Sequence, residues 1–350
     1  MDTLAAITPT SFSARAAAWL ALGACAFLPF SASAQSVTTV PVGAMSYSLA
    51  SGSLAVPSTT LVTLPLYDYT GPLSGISSGV INSYSGLVIT VSSAGWTTNA
   101  LSVPSAPFML QITSGTAEGR FYSIVSNTNN TITLSGPDLQ SEGVVAGVDT
   151  FRILSVDTLN TLFGSTTLQG GASSVVSDIV YLFEGGGWAG YYYNTTLGYW
   201  RKTSGPNQNK DNIVLRPDTG FLIQRKYSSL NLVITGTVPT VKSKVTVLNS
   251  GSTLIATGFP AGFKFSDLAI QNNLANWSKN PVFTQADVVS VFTGGSWVSY
   301  YHNNTFWRRS SGPVSNQDGT TIPAGAPIIL TKRGFTAGTS SLVINEPYDL

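Results

Sequence analysis

The residues with the clearest chemical potential in this sequence are eight aromatic side chains that occur as two similar groups. Each group starts with a tryptophan shortly after a pair of glycines, continues with two adjacent tyrosines and ends with a second tryptophan. Trp and Tyr rings present apolar faces that stack on sugar rings, and their polar tips hydrogen-bond to hydroxyls. The pattern predicts a ligand-binding surface, here called the aromatic platform, formed by Trp188, Tyr191, Tyr192, Trp200, Trp297, Tyr300, Tyr301 and Trp307.

The same residues also suit the packing of a β-hairpin, which is an alternative to ligand binding. A pair of glycines before each first tryptophan is typical of a tight turn. Two adjacent tyrosines in a strand point to opposite faces of the sheet, so one is expected in the core and the other outside. Cross-strand aromatic pairs stabilise a sheet by about 0.2–1 kcal/mol each. The sequence leaves both interpretations open.

Two basic residues follow each second tryptophan, Arg201-Lys202 in one group and Arg308-Arg309 in the other. Such cations can bind an acidic sugar or lie over an aromatic ring. Charged side chains also protect the outer strand of a sheet from pairing with another chain. We expect the edge-strand role for both pairs.

Asp178 and Asp287 occupy matching positions, each at the start of a predicted strand. Two carboxylates can hydrolyse a glycosidic bond when they lie roughly 5–10 Å apart across the sugar. Nothing in the sequence predicts that these two are close, because each belongs to a different group. Aspartate before a strand is commonly a turn former, and we expect that role here.

A pair of oxygen-bearing side chains occurs in each Gly-Pro loop, Asn209 with Asp211 and Asn316 with Asp318. Calcium takes about six to eight oxygen ligands, so two per loop indicate a calcium site only weakly. Turns in which the side chain bonds to its own backbone explain the same residues.

His302 is the only histidine, and the matching position in the first group is Tyr193. No Ser-His-Asp arrangement, zinc-ligand spacing or phosphate-binding loop accompanies it. The sequence therefore indicates no catalytic residues, no metal site and no cofactor, and we expect a protein that is not an enzyme.

The two aromatic groups belong to a longer internal repeat. Residues 178–188 match 287–297 with a difference of 109 positions, and residues 200–206 match 307–313. Further upstream, Thr60-Leu61-Val62 resembles Thr253-Leu254-Ile255, but the difference there is 193 positions. Roughly 84 extra residues therefore lie within the first copy.

The pattern of residue types after residue 35 indicates the fold class. Short runs rich in Val, Ile, Thr and Tyr alternate with clusters of Gly, Pro, Ser and Asn, as in β-strands joined by turns. Helical patterns are confined to about 157–163 and 266–274. We predict an all-β protein with very little helix, made of two copies of a β-sandwich or barrel-like unit, the first interrupted by a small β-barrel-like module.

The predicted domain organisation has four parts. They are a signal peptide at 1–34, a discontinuous first β repeat at 35–71 plus 156–236, an inserted small β module at 72–155, and a second β repeat at 237–350.

The composition excludes several classes of protein. Only 9% of the residues are charged, whereas a typical domain has roughly 25%. Net charge is +1, so the chain lacks the basic surplus that nucleic-acid binding requires. An aromatic content of 11% argues against a disordered tail.

The N-terminus predicts export. Arg15 precedes an apolar run from Ala16 to Phe30, and an A-x-A site ends at Ala34, where we expect cleavage. The run is shorter than the roughly 20 residues of a transmembrane helix, and no later run reaches that length. Leu22–Cys25 resembles a lipoprotein box, which makes lipidation of Cys25 an alternative. Cys25 is the only cysteine, so the mature chain would have no disulfide.

The layout resembles a family of exported bacterial proteins of about 350 residues that have a signal peptide and paired GG-x-W, YY and WR repeats. The resemblance rests on Ser114–Ile124, Asp138–Ile153, Gly220–Lys226 and the two aromatic groups. No activity is established for that family. The resemblance therefore implies export and architecture, and no functional residue is carried over.

These observations predict an exported, non-enzymatic structural or interaction protein in the extracellular space, at the cell surface or in the periplasm. Its expected partners are further copies of itself or a cell-envelope or extracellular polysaccharide. A carbohydrate-binding protein that uses the aromatic platform is the first alternative. An outer-membrane β-barrel is the second, and an enzyme comes last.

Overall fold

The computed structural model of the chain describes residues 41–72, 74–334 and 336–348. In this part of the chain there are 23 strands, and no helix exceeds five residues, so the prediction of an all-β fold with very little helix is confirmed. None of these helices is long and apolar enough to cross a membrane. The predicted signal peptide, its cleavage site and Cys25 lie outside the described residues.

The strands in chain order are β1 (Val42–Leu49), β2 (Ser58–Thr63), β3 (Ser78–Val80), β4 (Ser83–Ser85), β5 (Val88–Thr90), β6 (Phe108–Ile112), β7 (Phe121–Asn127), β8 (Thr131–Ser135), β9 (Thr150–Ser155), β10 (Ile179–Glu184), β11 (Gly187–Asn194), β12 (Tyr199–Lys202), β13 (Gly220–Arg225), β14 (Leu230–Thr237), β15 (Ser243–Leu248), β16 (Ser250–Ile255), β17 (Phe263–Lys264), β18 (Val288–Thr293), β19 (Ser296–His302), β20 (Trp307–Arg309), β21 (Thr321–Ile322), β22 (Ile328–Arg333) and β23 (Thr339–Ile344).

The helices are α1 (Leu159–Phe163), α2 (Phe265–Leu268) and α3 (Ile270–Asn273), close to the two predicted segments. Single 3₁₀ turns occur at Ala100–Ser102, Ser174–Val176 and Phe283–Gln285. Helix α1 begins where the Thr158 hydroxyl accepts the Thr161 N–H and the Thr161 hydroxyl accepts the Thr158 N–H, a capping box.

Strands β1, β2 and β10–β14, here called the first copy, form a five-stranded sheet and a two-stranded ribbon. The sheet order is β12-β11-β10-β13-β2, and the ribbon pairs β1 with β14. Strands β15–β23, the second copy, repeat this plan with the sheet β20-β19-β18-β22-β16, the ribbon β15-β23 and the short pair β17-β21. All of these pairings are antiparallel.

Alternation of apolar and polar residues determines which face of each strand is buried. In β14, Leu232 and Ile234 enter the core, whereas Asn231, Val233 and Thr235 face solvent. The ribbon of each copy thus covers one face of the five-stranded sheet, and apolar side chains from both fill the space between them.

Strands β3–β9 and their connecting loops, here called the insert, form one seven-stranded sheet that bends into a barrel-like module. Its order is β3-β9-β6-β7-β8-β5-β4. Only Ile81 and Asn82 separate β3 from β4 in the chain, so the two ends of this sheet meet. Apolar side chains fill the interior, among them the fully buried Leu110, Tyr122 and Phe151.

The two copies contact each other through equivalent residues. Gly220 comes directly before the β13 residue that pairs with Leu182. Pro327 comes directly before the β22 residue that pairs with Val291, and Val291 is the residue that matches Leu182 in the repeat. Gly220 and Pro327 therefore occupy the same place in their copies. These residues are in contact, because a β-carbon on Gly220 would lie 2.6 Å from the Pro327 ring. Contact between equivalent positions is the mark of a two-fold arrangement.

Two hydrogen bonds show the same reciprocity. The Ala256 N–H donates to the Asp218 carbonyl at 3.1 Å, and the Thr63 hydroxyl donates to the Gly325 carbonyl at 3.0 Å. Strand pairing makes Thr63 equivalent to Ala256, and Asp218 equivalent to Gly325. The two copies are therefore related by an approximate two-fold axis near Gly220.

A buried cluster of three charged side chains joins the insert to the second copy. Arg120 Nη2 lies 2.9 Å from Glu142 Oε1, and Lys244 Nζ lies 2.6 Å from Glu142 Oε2. The side chains of Arg120, Glu142 and Lys244 are 3%, 10% and 8% exposed. Their mutual pairing replaces the hydration that burial removes.

The backbone of the insert also pairs with β15 at this point. The Lys244 N–H donates to the Gly119 carbonyl at 3.3 Å, and the Arg120 guanidinium donates to the Lys244 carbonyl and the Thr246 hydroxyl. Gly119 has φ +87°, and a β-carbon there would overlap the Lys242 carbonyl. The approach of the insert to the second copy therefore requires glycine at this position.

The charged cluster makes the stability of this junction depend on pH. Burial opposes ionisation of Glu142, but the hydrogen bond from Lys244 and the charges of Arg120 and Lys244 outweigh it and lower the pKa of Glu142. A lowered folded-state pKa means that ionised Glu142 stabilises the protein fully above its unfolded pKa of about 4.3. The contribution is lost as pH falls through the folded-state pKa.

Glu142→Gln is expected to lower the free energy of unfolding by about 3–5 kcal/mol at neutral pH, because Arg120 and Lys244 would stay buried without their anion. Urea denaturation measures this difference, which should shrink at pH values below the folded-state pKa of Glu142. The matched control is Glu118→Gln, which removes the partner of the more exposed Lys242 and should cost less than about 1 kcal/mol. Equal losses in the two variants would contradict a structural role for the cluster.

Candidate functional site

The candidate site consists of two hairpins, β10-β11 and β18-β19, that occupy the same place in the two copies. Glu184 pairs with Gly187 and Thr293 pairs with Ser296, which leaves two-residue turns at their tips. Both turn residues have positive φ in each hairpin, +58° and +81° at Gly185-Gly186, and +61° and +78° at Gly294-Gly295. The predicted tight turns are present, and this backbone explains the glycine pairs.

Six of the eight residues of the predicted aromatic platform are buried. Trp200 and Trp307 are each 1% exposed, and the four tyrosines are at most 8% exposed: Tyr191, Tyr192, Tyr300 and Tyr301. Rings so enclosed have almost no surface on which a sugar could stack.

The two buried tryptophans hold the short helices against the sheets. The Trp200 indole N–H donates to the Gly164 carbonyl at 2.9 Å, and its ring lies 5.7 Å from Phe163 of α1. Trp307 stacks on Phe265 of α2 with ring centres 5.1 Å apart. These contacts account for the second tryptophan of each group as a core residue.

The tyrosines of the first hairpin also bond within the protein. The Tyr191 hydroxyl donates to Glu184 Oε1 at 2.7 Å, and burial together with this carboxylate raises the pKa of Tyr191. Tyr192 lies on the opposite face of the strand, where its hydroxyl accepts the Asn194 amide at 3.1 Å. The same amide donates to the Ala172 carbonyl, so a loop covers the outer face that the sequence predicted to be open.

Trp188 and Trp297 are half-buried and lie on the outer faces of the sheets. Each packs edge-on against a phenylalanine directly across the hairpin, with ring centres 5.2 Å apart for Phe183–Trp188 and 5.3 Å apart for Phe292–Trp297. Because these tryptophans alone among the eight keep substantial accessible surface, the predicted platform narrows to two Phe-Trp pairs.

Phe183 and Phe292 are members of the site that the sequence analysis did not identify. A usable signal was present, because both precede the glycine pair at the same spacing in the two copies. Residues adjacent to the pairs differ between the copies. Tyr181 and Gly190 lie beside the first pair, whereas Ser290 and Ser299 lie beside the second and share a hydrogen bond of 2.9 Å.

The basic pairs lie on β12 and β20, which are the outer strands of the two sheets. Arg201 lies over the Tyr192 ring at 5.8 Å, and Arg308 lies over the Tyr301 ring at 5.4 Å. These arginines thus combine the edge position that we expected with a cation–π contact that was the alternative.

The loops with Asn209 and Asp211, and with Asn316 and Asp318, cover those same edges. The Asp211 carboxylate accepts the backbone N–H of Trp200 at 2.8 Å, and the Asp318 carboxylate accepts the backbone N–H of Trp307 at the same distance. Each asparagine side chain in turn accepts the N–H of its aspartate, which is the turn geometry expected from the sequence. Within the described ranges, no group of three or more His, Cys, Asp or Glu side chains could hold a metal ion.

Asp178 and Asp287 are buried anchors within their own copies. Asp178 accepts the N–H groups of Gln169 and Lys226 and pairs with the guanidinium of Arg225. Asp287 accepts the equivalent N–H groups in the second copy, at 2.8 and 2.7 Å. Each carboxylate ties a loop to a strand, so both are fully used in structural bonds.

His302 packs edge-on against Trp307, with ring centres 5.7 Å apart, much as Tyr193 packs against Trp200 at 6.2 Å. Burial and the nearby positive charge of Lys279 lower the pKa of His302. The histidine is therefore a largely neutral core residue at neutral pH.

Comparisons of the chain with protein-family models, with curated proteins and with solved structures find no match.

The difference between buried and half-buried tryptophans can be measured directly. Trp200→Ala is expected to lower the free energy of unfolding by about 3–5 kcal/mol, because it leaves a cavity beside Phe163. Trp188→Ala should cost about 1 kcal/mol or less, since part of this side chain already faces solvent. Urea denaturation gives both values, and Trp307→Ala with Trp297→Ala repeats the comparison in the second copy. A loss at Trp188 as large as at Trp200 would make the first tryptophan a core residue as well.

Proposed function

We propose that the protein is an exported, non-enzymatic interaction protein of the cell surface or extracellular space, and that the two Phe-Trp hairpins are its contact elements. The observation that carries the proposal is the pair of half-buried tryptophans, each with part of its ring accessible, at equivalent positions of the two copies. Aromatic residues at a projecting, otherwise polar surface are typical of binding sites.

The position of the hairpin tips supports a role in contact. Residues 184–187 and 293–296 are exposed, and a β-carbon on Gly185, Gly186, Gly294 or Gly295 would meet no atom within 4 Å. The tips therefore project beyond the sheets, where a partner has free access to them.

The bonding of the acidic residues supports a non-enzymatic role. A general acid or base needs a carboxyl group or imidazole that is free to reach a substrate. The carboxylates of Asp178, Asp287 and Asp211 each accept two N–H groups, and that of Asp318 accepts the backbone N–H of Trp307. His302 lies against an indole ring. Export is supported by the sequence of residues 1–34.

A polysaccharide is the partner class that the hairpins favour. The exposed part of each indole offers an apolar ring beside hydroxyl groups, which in the second copy are those of Ser290 and Ser299. Sugar rings need this combination of an apolar surface and hydrogen-bonding groups. The low content of charged residues also suits a neutral polymer.

The two-fold relation of the copies suits a repetitive ligand. Rotation about a two-fold axis leaves the height along the axis unchanged, so the two hairpin tips lie at the same height. A polymer that carries many identical units can occupy both sites, and the second contact then forms at high effective concentration. A short oligosaccharide lacks this advantage.

The experiment is a pull-down with cell-envelope material from the producing organism, before and after protease digestion of that material, and with cellulose, chitin and xylan as defined probes. We expect Trp188→Ala/Trp297→Ala to weaken binding by about 10²-fold or more, because both contacts and their avidity are lost. Binding that survives protease digestion of the material identifies a polysaccharide partner.

The matched control is Val175→Ala/Val314→Ala, which trims one exposed apolar side chain in each copy outside the hairpin strands. This control should bind like the unmodified protein. Equal binding by the double tryptophan variant would refute the role of the hairpins. Binding abolished by protease digestion would refute the polysaccharide and leave a protein partner.

A further inference from the structure

Strand β1 has an outer edge whose backbone groups are not paired with any described residue. On the far side of the ribbon, the N–H and carbonyl of Thr237 both bond to Tyr67, so Thr237 and its cross-strand neighbour Val42 form a non-hydrogen-bonded pair. The alternation of an antiparallel ladder then directs the N–H and carbonyl groups of every second β1 residue away from β14: Val42, Ala44, Ser46 and Ser48.

The side chains at this edge are small, uncharged and exposed. Val42, Ala44, Ser46 and Ser48 all face solvent, and no charged residue occurs in β1 or β14. The strand is eight residues long and pairs with β14 without a bulge. Long, regular edges without charges, prolines or bulges are the ones that pair with another chain.

The other copy shows what becomes of the same edge when it is covered. Strand pairing makes Ser46 of β1 equivalent to Lys244 of β15. The residue after Ser46 pairs with Leu232, and the residue after Lys244 pairs with Leu342. The outward N–H of Lys244 is bonded to Gly119, and Arg120 reaches its carbonyl. In the second copy, the insert therefore occupies the edge position that no described residue occupies in the first.

We propose that β1 pairs antiparallel with β1 of a second copy of this chain, which joins the two ribbons into one four-stranded sheet. The pairing with the greatest overlap sets Val42 opposite Ser48 of the partner molecule and Ala44 opposite the partner molecule's Ser46. Each of the four outward residues then exchanges its N–H and carbonyl bonds with the facing strand. On the solvent-facing side of this seam only the side chains of these four residues meet, whereas on the inner side Met45 lies opposite Met45 of the partner molecule.

A second molecule of this protein suits this edge better than an unrelated partner, because the edge is complementary to itself. Two identical uncharged strands approach without like-charge repulsion, and a two-fold arrangement uses the same residues from both. Strand pairing alone buries less than the roughly 1,600 Å² of a standard stable interface. The dimer is therefore weak and depends on concentration. This inference is independent of the hairpins and of the proposed function.

Sedimentation velocity over a concentration series tests the pairing with three variants. Ala44→Lys/Ser46→Lys places lysines directly opposite each other and should weaken dimerisation by more than about tenfold. Ala44→Lys/Ser46→Glu places lysine opposite glutamate in both directions and should restore the dimer, most clearly at low salt. The matched control is Val233→Lys/Thr235→Lys, which adds the same charges to the same ribbon face on β14, beside Ser46 and Ala44. This control should dimerise like the unmodified protein.

The outcomes separate this inference from the others. A protein that stays monomeric up to its solubility limit overturns it, as does a dimer that is unaffected by the β1 lysines. A dimer lost only in the β14 control would assign the contact to the other edge of the ribbon. Trp188→Ala/Trp297→Ala should leave dimerisation unchanged, so failure of the hairpin proposal does not affect this result. Circular dichroism of each variant confirms that the β-sheet content is preserved.

Discussion

The need to pair or cover the edges of its sheets is the constraint that the other features of this protein follow. Many β proteins protect the edges of their sheets with charged side chains, but only 9% of the residues in this chain are charged. The chain uses its own backbone for this purpose. The loops that end at Asp211 and Asp318 bond to the outer strands β12 and β20, and Gly119 of the insert bonds to β15. No described residue covers the outer edge of strand β1 in this way, and neither β1 nor its partner β14 contains a charged residue.

Much of the fold could be predicted from the sequence because its signals are local or repeated. Strand alternation, glycine pairs at turns and the spacing of 109 positions between the copies are visible without a structure. The contacts that join the parts were not predictable in this way. Arg120, Glu142 and Lys244 are far apart in sequence and follow no periodic pattern, so only the folded chain shows that they meet. The same is true of the contact between Gly220 and Pro327.

The candidate site was predicted in outline and then reduced in extent. Strand alternation predicted that one tyrosine of each adjacent pair faces outwards, and Tyr192 does point to the outer face. It is nevertheless buried, because the loop around Ala172 and the side chain of Arg201 cover it. Alternation describes the direction of a side chain, whereas exposure depends on what else the chain lays over that face. Trp188 keeps its accessible surface because it lies near the hairpin tip, beyond the reach of such a loop.

The position of the insert has a consequence for the order in which the protein can fold. The insert interrupts the first copy in sequence, but Arg120 of the insert bonds to Lys244 and Ser341 of the second copy. During synthesis, the first two thirds of the chain are complete before either partner exists. Arg120 and Glu142 can complete this cluster only after Lys244 and Ser341 have been synthesised. The junction between the insert and the second copy therefore forms after the first copy and the insert have both been synthesised.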